Sequence, residues 1–399
     1  MNFLEQAEQI KSYTVELRRD FHRHPELGFE EVRTAQIVAD TLADLGLEVT
    51  TGVGKTGVVG LLRGAKPTPV VLLRFDMDAL PIQEENEIDF VSEVSGKMHA
   101  CGHDNHIAVG LSVAKILAGM RGTLPGTVKF VFQPAEEGDG GAELMVREGV
   151  LTQPRPDFAL AMHVWNEKPV GWYGLTRGPM MAGAHTFRVR VIGKGGHGAI
   201  PQLSIDPVVA AAQIITALQS IVSRNVSPLE SAVVTVGTLR SGTAFNVIPQ
   251  DMVFDGTIRT FKGEVFEVVE KRFREIIESV ARAMGCQTEI EIAQATYPVV
   301  NDPELADLMV EVVQSIQPAA EVTQDYQTMG SEDFSYMTQD IPGCYLLVGS
   351  SNSAKGLDFG HHHPRFNVDE ACLPYAVAVM ANGAVAVLEK LKPRQQNGS

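Results

Sequence analysis

Five short apolar runs constrain what this chain can fold into. Val58–Leu62, Val70–Phe75, Val128–Phe132, Phe158–Met162 and Tyr345–Val348 are short, predominantly apolar segments, interrupted only by Arg74 and Lys129. Runs of this kind read as strands, the first two buried on both faces. Segments with helical spacing of apolar residues lie around them, at 3–21, about 31–45, 106–119, 141–148 and, closing the chain, 369–391. Strands alternating with helices predict an α/β sheet covered on both faces. In such sheets the ligand crevice lies beyond the carboxyl ends of the strands. Asp76, Glu136, Glu137 and His163 fall at those ends.

The texture changes near residue 185. Thr186–Val191 alternates with period two, as a half-buried strand does. A helix at 206–222, alternating strands at 231–239 and 251–260, a helix at 264–284 and a strand at 287–293 follow. This is the pattern of an α+β layer with a one-faced antiparallel sheet and two helices. We therefore expect a smaller domain inserted at 186–296. Residues 1–185 and 297–399 form a discontinuous, doubly wound α/β catalytic domain with a mostly parallel central sheet. The tail, 393–399, reads as disordered.

Composition narrows the class. The chain has 399 residues, 44% of them hydrophobic, and a formal charge of −16. Such an acidic surface repels nucleic acid and anionic membranes, so neither is an expected partner. The four cysteines, Cys101, Cys286, Cys344 and Cys372, show no framework spacing. The amphipathic N-terminus lacks the form of a signal peptide. No run of about 18 apolar residues is seen, so no membrane-spanning helix is expected. The expected location is cytoplasmic.

The chemistry concentrates in Met98–His106, where a thiol, three imidazoles and a carboxylate share nine positions. Cys101 and His103 are two apart, so on a loop or extended backbone their side chains can converge on a soft or borderline divalent metal. Glu136 and Glu137 are adjacent carboxylates, uncomfortable together unless a cation or a proton separates their roles. One ligating metal while the other holds a proton is what metal-assisted hydrolysis needs; a solvated loop is the plainer alternative. His163 alone would read as a packed core histidine. One of His361, His362 and His363 can close a metal site. Asp78 suits a group that orients an imidazole from behind, and Asp76 stays open between that role and ligation. In the inserted domain the glycine-rich loop 193–199 presents His197. Asn246 and Arg259 are weaker candidates, the arginine for a substrate carboxylate.

Gly52–Gly57 matches the G-x-G-x-x-G dinucleotide fingerprint. That motif needs a helix directly after it. The apolar run Val58–Leu62 that follows reads as strand, so nucleotide binding is rejected.

Taken in order, His22-x-x-Pro25-Glu26, Arg74-x-Asp76-Met77-Asp78-Ala79-Leu80-Pro81, His99–Asp104, Gln133–Glu137, Met162-His163 and His362-x-Pro364-x-Phe366 resemble one family over nearly the whole chain. It is the dinuclear metallo-amidohydrolase family of hippurate hydrolases, N-acyl-amino-acid amidohydrolases, thermostable carboxypeptidases and auxin-conjugate hydrolases. The resemblance implies five metal ligands, Cys101, His103, Glu137, His163 and His362, with Cys101 bridging two divalent ions. It selects His362 from the three consecutive histidines and makes Glu136 the general acid/base. His197 then completes the site, often from the partner subunit of a homodimer.

The implied reaction is hydrolysis of an N-acyl amino acid to a carboxylic acid and a free amino acid by a metal-activated water. Zinc or manganese is expected, with cobalt or nickel compatible. A metallo-carboxypeptidase or dipeptidase acting on short peptides is the alternative. A cysteine hydrolase using Cys101, or a non-catalytic metal-binding module, are the remaining readings.

Overall fold

The computed structural model describes residues 2–391, so the tail at 393–399 lies outside the described residues. The chain divides into two compact units. The first runs to Gly178 and takes up again over Val300–Tyr326 and from Asp333 onward; the second is Pro179–Val299 with Gln327–Glu332.

Helices α1 (Phe3–Gln9) and α2 (Lys11–Arg23) divide what the sequence pattern reads as one helix, with Ile10 between them at φ −104° and ψ 12°. No proline or glycine marks that break. In α3 (Val32–Asp44) the first free N–H groups, on Arg33 and Thr34, donate to the two carboxylate oxygens of Glu26 at 3.0 and 2.8 Å. Strand β1 (Glu48–Val53) pairs antiparallel with β2 (Gly57–Arg63). β1 is largely exposed, so it lacks the apolar signal that reveals its neighbours. The glycine run 52–57 is the turn of this hairpin, and a strand follows it.

Next come β3 (Val70–Asp76), α4 (His103–Ala118), β4 (Thr127–Gln133), α5 (Gly141–Arg147), β5 (Phe158–Pro169) and β6 (Trp172–Gly174). Every residue of β3 and β4 is buried, because helices cover both faces. Each fully buried Val, Leu or Phe there contributes about 1.5–3 kcal/mol relative to exposure.

After β7 (Gly178–Met181), the second unit adds β8 (Gly183–Ile192), β9 (Gly196–His197), α6 (Pro207–Arg224), β10 (Ala232–Ser241), β11 (Val247–Ile248), β12 (Asp251–Thr260), α7 (Gly263–Ala283) and β13 (Gln287–Thr296). Four strands form an antiparallel sheet in the order β10-β12-β8-β13. Phe187, Val189, Val191, Phe254 and Ile258 alternate onto one face and pack with Ile214 and Leu218 of α6 and Val269 and Phe273 of α7. Asp206 caps α6 through the Val208 N–H at 2.9 Å, and Pro207 occupies its first turn.

The chain ends with β14 (Val299–Asn301), α8 (Pro303–Ile316), β15 (Glu321–Thr323), β16 (Gly343–Ser351) and α9 (Leu373–Lys390). The first unit's sheet has the order β1-β2-β4-β3-β5-β16-β6-β15. Strands β4, β3, β5 and β16 run parallel at its centre. Two helical stretches, Pro207–Arg224 and Glu370–Lys390, are long and apolar enough to cross a membrane, and 83% of the second is buried within the protein. The second is the core helix of its unit, where α9 packs against α4, α8 and the central strands.

Candidate metal centre

Strands β3, β4 and β5 bring the first unit's chemistry to one end of the parallel sheet. Asp76 is the last residue of β3, and Glu136 and Glu137 follow β4 by three and four residues. His163 is not past the end of its strand, as the apolar run implies, but inside the longer β5. The pairing of β5 with β3 stops at Arg74 and Ala161, so His163 projects where β5 has left its neighbour.

Cys101 and His103 are also not on a common loop. Cys101 is in the loop, Gly102 caps α4 with φ 93°, and His103 is the first residue of the helix. A side chain at Gly102 would lie 2.5 Å from Val164 Cγ2, so only glycine allows this close approach to β5.

His103 and His163 each have one ring nitrogen committed, and His362 is held through its backbone. His103 Nδ1 donates to the Asp78 carbonyl oxygen at 2.8 Å and lies 3.2 Å from Asp78 Oδ1. Its Nε2 is buried without a hydrogen-bond partner among the described residues. His163 Nδ1 donates to the Val164 carbonyl at 2.6 Å, which leaves the Nε2 lone pair 3.5 Å from Cys101 Sγ. His362 sits at φ 65°, an uncommon conformation for a histidine, with its N–H tied to the Ala100 carbonyl at 2.8 Å. Its Nε2 is 3.3 Å from Glu137 Oε1. The other two of the triple are committed elsewhere. His361 Nε2 donates to Val164 O at 3.0 Å, and His363 Nδ1 accepts from the Arg365 N–H at 3.0 Å.

The potential ligand atoms of Cys101, His103 and His163 lie within 4.8 Å of one another, as do those of Cys101, Glu137 and His362, and those of His103, Glu136 and Glu137. Thus the six residues expected at the centre form one cluster. A thiol and two carboxylates converging with imidazole lone pairs is a donor set for a borderline divalent cation, and it is repulsive without one. The orphaned His103 Nε2 is the observation that most directly fits a metal there.

Electrostatics agree with that fit. Burial works against a charged His103, but Asp76, Asp78 and Glu137 outweigh it and hold its pKa at about 10. Burial, helped by His106 and His361, drives His163 well below the ordinary imidazole range, which keeps it neutral. Burial and the Glu137 and Glu136 carboxylates push the Cys101 thiol well above its ordinary value.

Asp76 is engaged elsewhere. It receives Arg74 and His106, is fully buried, and is held well below the carboxylate range: burial opposes this, and His103, His106 and Arg74 outweigh it. His106 also accepts the Val164 N–H on its Nε2 at 3.0 Å, which uses the lone pair a metal would need. The sequence reading gave His106, Arg74 and Asp333 no role. Arg74 Nε donates to Gln133 at 2.8 Å and its Nη2 to Asp333 at 3.0 Å, tying the strand ends together. The available signal was the spacing of Arg74 and Asp76, which puts opposite charges on one face of a buried strand.

The second unit carries the remaining candidates. His197 pairs with Val247 across β9 and β11, and the Asn246 carbonyl accepts the Gly198 N–H at 2.9 Å. His197 and Asn246 are thus neighbours on one exposed two-stranded ribbon, whose strands are about fifty residues apart in the chain. Arg259 is on β12, half-buried, and donates to Thr257 Oγ1.

The sequence model of peptidase family M20/M25/M40 matches residues 72–385. The chain is 38% identical over 385 residues to thermostable carboxypeptidase 2 of Saccharolobus solfataricus, covering 96% of each protein. It is 41% identical over 391 residues to the IAA-amino acid hydrolase ILR1-like 4 of Arabidopsis thaliana, covering 97% of this chain and 88% of that one. A solved Bacillus subtilis structure, described as a dinuclear metal-binding peptidase from the M20 family, superposes with a TM-score of 0.84 at 35% identity. That match covers 96% of this chain and 100% of the other.

Proposed function

Because this chain belongs to peptidase family M20/M25/M40 and is a metal-dependent amidohydrolase, we propose that it cleaves the amide bond of N-acyl amino acids. The products are a carboxylic acid and a free amino acid. The observation that carries this reading is the convergence of Cys101, His103, Glu137, His163 and His362 on one cluster with Glu136 beside it. We assign those five as ligands of two divalent ions, zinc or manganese by the mixed sulfur, nitrogen and oxygen donor set, with cobalt or nickel also accommodated. Bound there, the ions would supply Lewis acidity and lower the pKa of a coordinated water to about 7.

The protein's own groups do the rest. Glu136 accepts the proton of the attacking water and returns it to the leaving nitrogen. Asp78 keeps His103 in the tautomer whose Nε2 faces the cluster. His197 donates to the oxyanion. Arg259 and Asn246 hold the substrate's carboxylate. We assign the second unit to homodimer or higher homo-oligomer formation, supported by exposed Val208, Val209 and Val222 on α6 and Leu239 on the edge strand β10. The formal charge of −16 supports an enzyme without nucleic-acid or membrane partners, and the cytoplasm is kept as its expected location.

A carboxypeptidase or dipeptidase reading is favoured by the name of the Saccharolobus relative and shares the same chemistry. A cysteine hydrolase is disfavoured, because a nucleophilic thiol needs a depressed pKa and the surroundings of Cys101 raise it. The test is a hydrolysis panel of hippurate, acetyl amino acids, indoleacetyl conjugates and dipeptides, run with each metal and with a chelator. Chelator-sensitive release of amino acid from the acyl conjugates is expected. Release only from dipeptides, or activity that survives chelation, would overturn the assignment.

A further inference from the structure

The glycine-rich turn between β1 and β2 leads into a strand rather than a helix, and it is built against the segment that carries Glu136 and Glu137. Thr56 Oγ1 donates to Glu31 Oε2 at 2.5 Å. Glu31 Oε1 in turn accepts the Ala135 N–H at 2.9 Å. Glu31 is fully buried, although it stands at the N-terminal cap of α3, where an acidic side chain ordinarily turns back onto its own helix. Here it makes no such bond, because Glu26 already takes the N–H groups of Arg33 and Thr34. Its carboxylate is therefore directed to another segment.

That segment needs holding. Ala135 has φ 52°, a conformation that costs about 1 kcal/mol or more for a non-glycine residue unless its surroundings impose it. Gly28 lies so close that a side chain there would meet Ala135 Cα at 3.1 Å. Lys55 places its ammonium 3.7 Å above the Phe29 ring, which fastens the turn to the residues before Glu31. The Gly54 N–H donates to Glu148 at 2.6 Å, just beyond α5. Downstream, Asp78 Oδ2 accepts the Glu137 N–H at 3.0 Å, and Asp333 Oδ2 accepts the Ala142 N–H at 2.9 Å. Three buried carboxylates from three distant segments thus hold N–H groups at Ala135, at Glu137 and in the first turn of α5. Glu31 is the one immediately upstream of Glu136.

We infer that Glu31, backed by Thr56, is a positioning residue that holds the Ala135 backbone and so sets the direction of the Glu136 carboxylate. This rests on the role given above to Glu136. Glu31 touches no substrate and acts only through Ala135. Its task needs a hydrogen-bond acceptor, and glutamine supplies one in the same volume.

The test compares Glu31→Ala, Glu31→Gln and Thr56→Val with the wild-type full chain. Two readouts are used: steady-state hydrolysis by the metal-loaded enzyme, and amide hydrogen exchange of residues 133–138 in the metal-free protein. Glu31→Ala is expected to lower kcat by about 10–100-fold with KM within about twofold, as a displaced catalytic group does. Exchange over 133–138 should rise about tenfold or more. Glu31→Gln should stay within about threefold of wild type in both. Wild-type exchange in Glu31→Ala, or a Glu31→Gln variant as impaired as Glu31→Ala, overturns the inference. Should Glu31→Ala fail to fold, Thr56→Val decides: faster exchange confined to 133–138 supports the inference, and unchanged exchange overturns it. The exchange arm needs no substrate. A wild-type enzyme inactive on every acyl amino acid would therefore refute the proposed function while leaving this inference to be judged separately.

Discussion

The cluster around Cys101 in the first unit and the two-stranded ribbon of His197 and Asn246 in the second hold their candidate side chains in opposite ways. In the cluster the side chains and the backbone that carries them are held from behind by other groups. His103 is backed by Asp78, His163 and His361 share the Val164 carbonyl, and Ala135, Glu137 and Ala142 give their N–H groups to buried carboxylates. In the ribbon His197 is exposed, and among the described residues its Nδ1 is met only by the N–H of Ala199 two residues on, at 3.1 Å. Asn246 is exposed, and the neighbouring Phe245 is fully so. The first arrangement is preorganised for a small, highly charged ligand. The second is held by its backbone pairing, with its candidate side chains left exposed. Substitutions should divide accordingly: changes in the cluster's supports alter metal affinity and local order, whereas changes in the ribbon alter kinetics and leave metal affinity and stability in place.

The largest effect expected is that of Glu136→Gln, which lowers turnover by roughly 10²–10⁴ because it removes a general acid/base. Elemental analysis should find the metal content unchanged, since the five assigned ligands remain. Loss of metal together with activity would move Glu136 from proton transfer to ligation. His197→Ala comes next, at roughly 10²–10³ in turnover by loss of an oxyanion donor. Because the residue is exposed, denaturation should stay within about 0.5 kcal/mol of wild type. A large stability loss would show that the ribbon is more tightly held than its exposure implies, and that outcome would break the contrast between the two regions. Asp78→Ala should weaken metal affinity about 10–100-fold, measured by competition with a chromophoric chelator. Unchanged affinity would mean that the support behind His103 is dispensable.

The contrast also explains what the sequence could reveal. The central strands were legible because burial on both faces leaves a continuous apolar run, and the second unit because its alternation follows the one-faced sheet. The exposed β1 had no such signal. The helical start of His103 was hidden as well, because Gly102 and the polar residues after it look like loop; the αL cap is a three-dimensional fact. At the centre, the residue types and motif order pointed to Cys101, His103, Glu136, Glu137, His163 and His362, and the structure brings them together. Their supports were illegible for a physical reason. Glu31 and Ala135 are over a hundred residues apart, as are Arg74 and Asp333, and no local period connects such pairs. The G-x-G-x-x-G run shows the same limit, since only its surroundings distinguish a phosphate loop from a hairpin turn.

Lys129 supplies the smallest and most general test, because it is a buried charge without such support. It sits on β4, the strand that leads to Glu136, and is 2% exposed. Its ammonium donates to the Pro154 carbonyl at 3.1 Å and has no carboxylate partner among the described residues. Burial lowers its pKa from about 10.5 to about 8. The sign of the linkage follows from which state holds the proton. Below about pH 8 folded and unfolded chains both carry it, and the folded state bears the cost of the buried charge. Between about pH 8 and 10.5 the unfolded chain binds more protons, so the contribution of Lys129 to stability rises with pH, by at most about 1.4 kcal/mol per pH unit. Lys129→Met keeps the length and removes the charge. Denaturant melts of the metal-free protein at pH 7.5 and 9.5 should show the variant more stable than wild type at the lower pH, with the gap narrowing at the higher. An equal gap at both values would mean that Lys129 stays charged in the fold, and that a buried ion at this end of β4 tolerates the absence of the paired carboxylates on which the metal cluster depends.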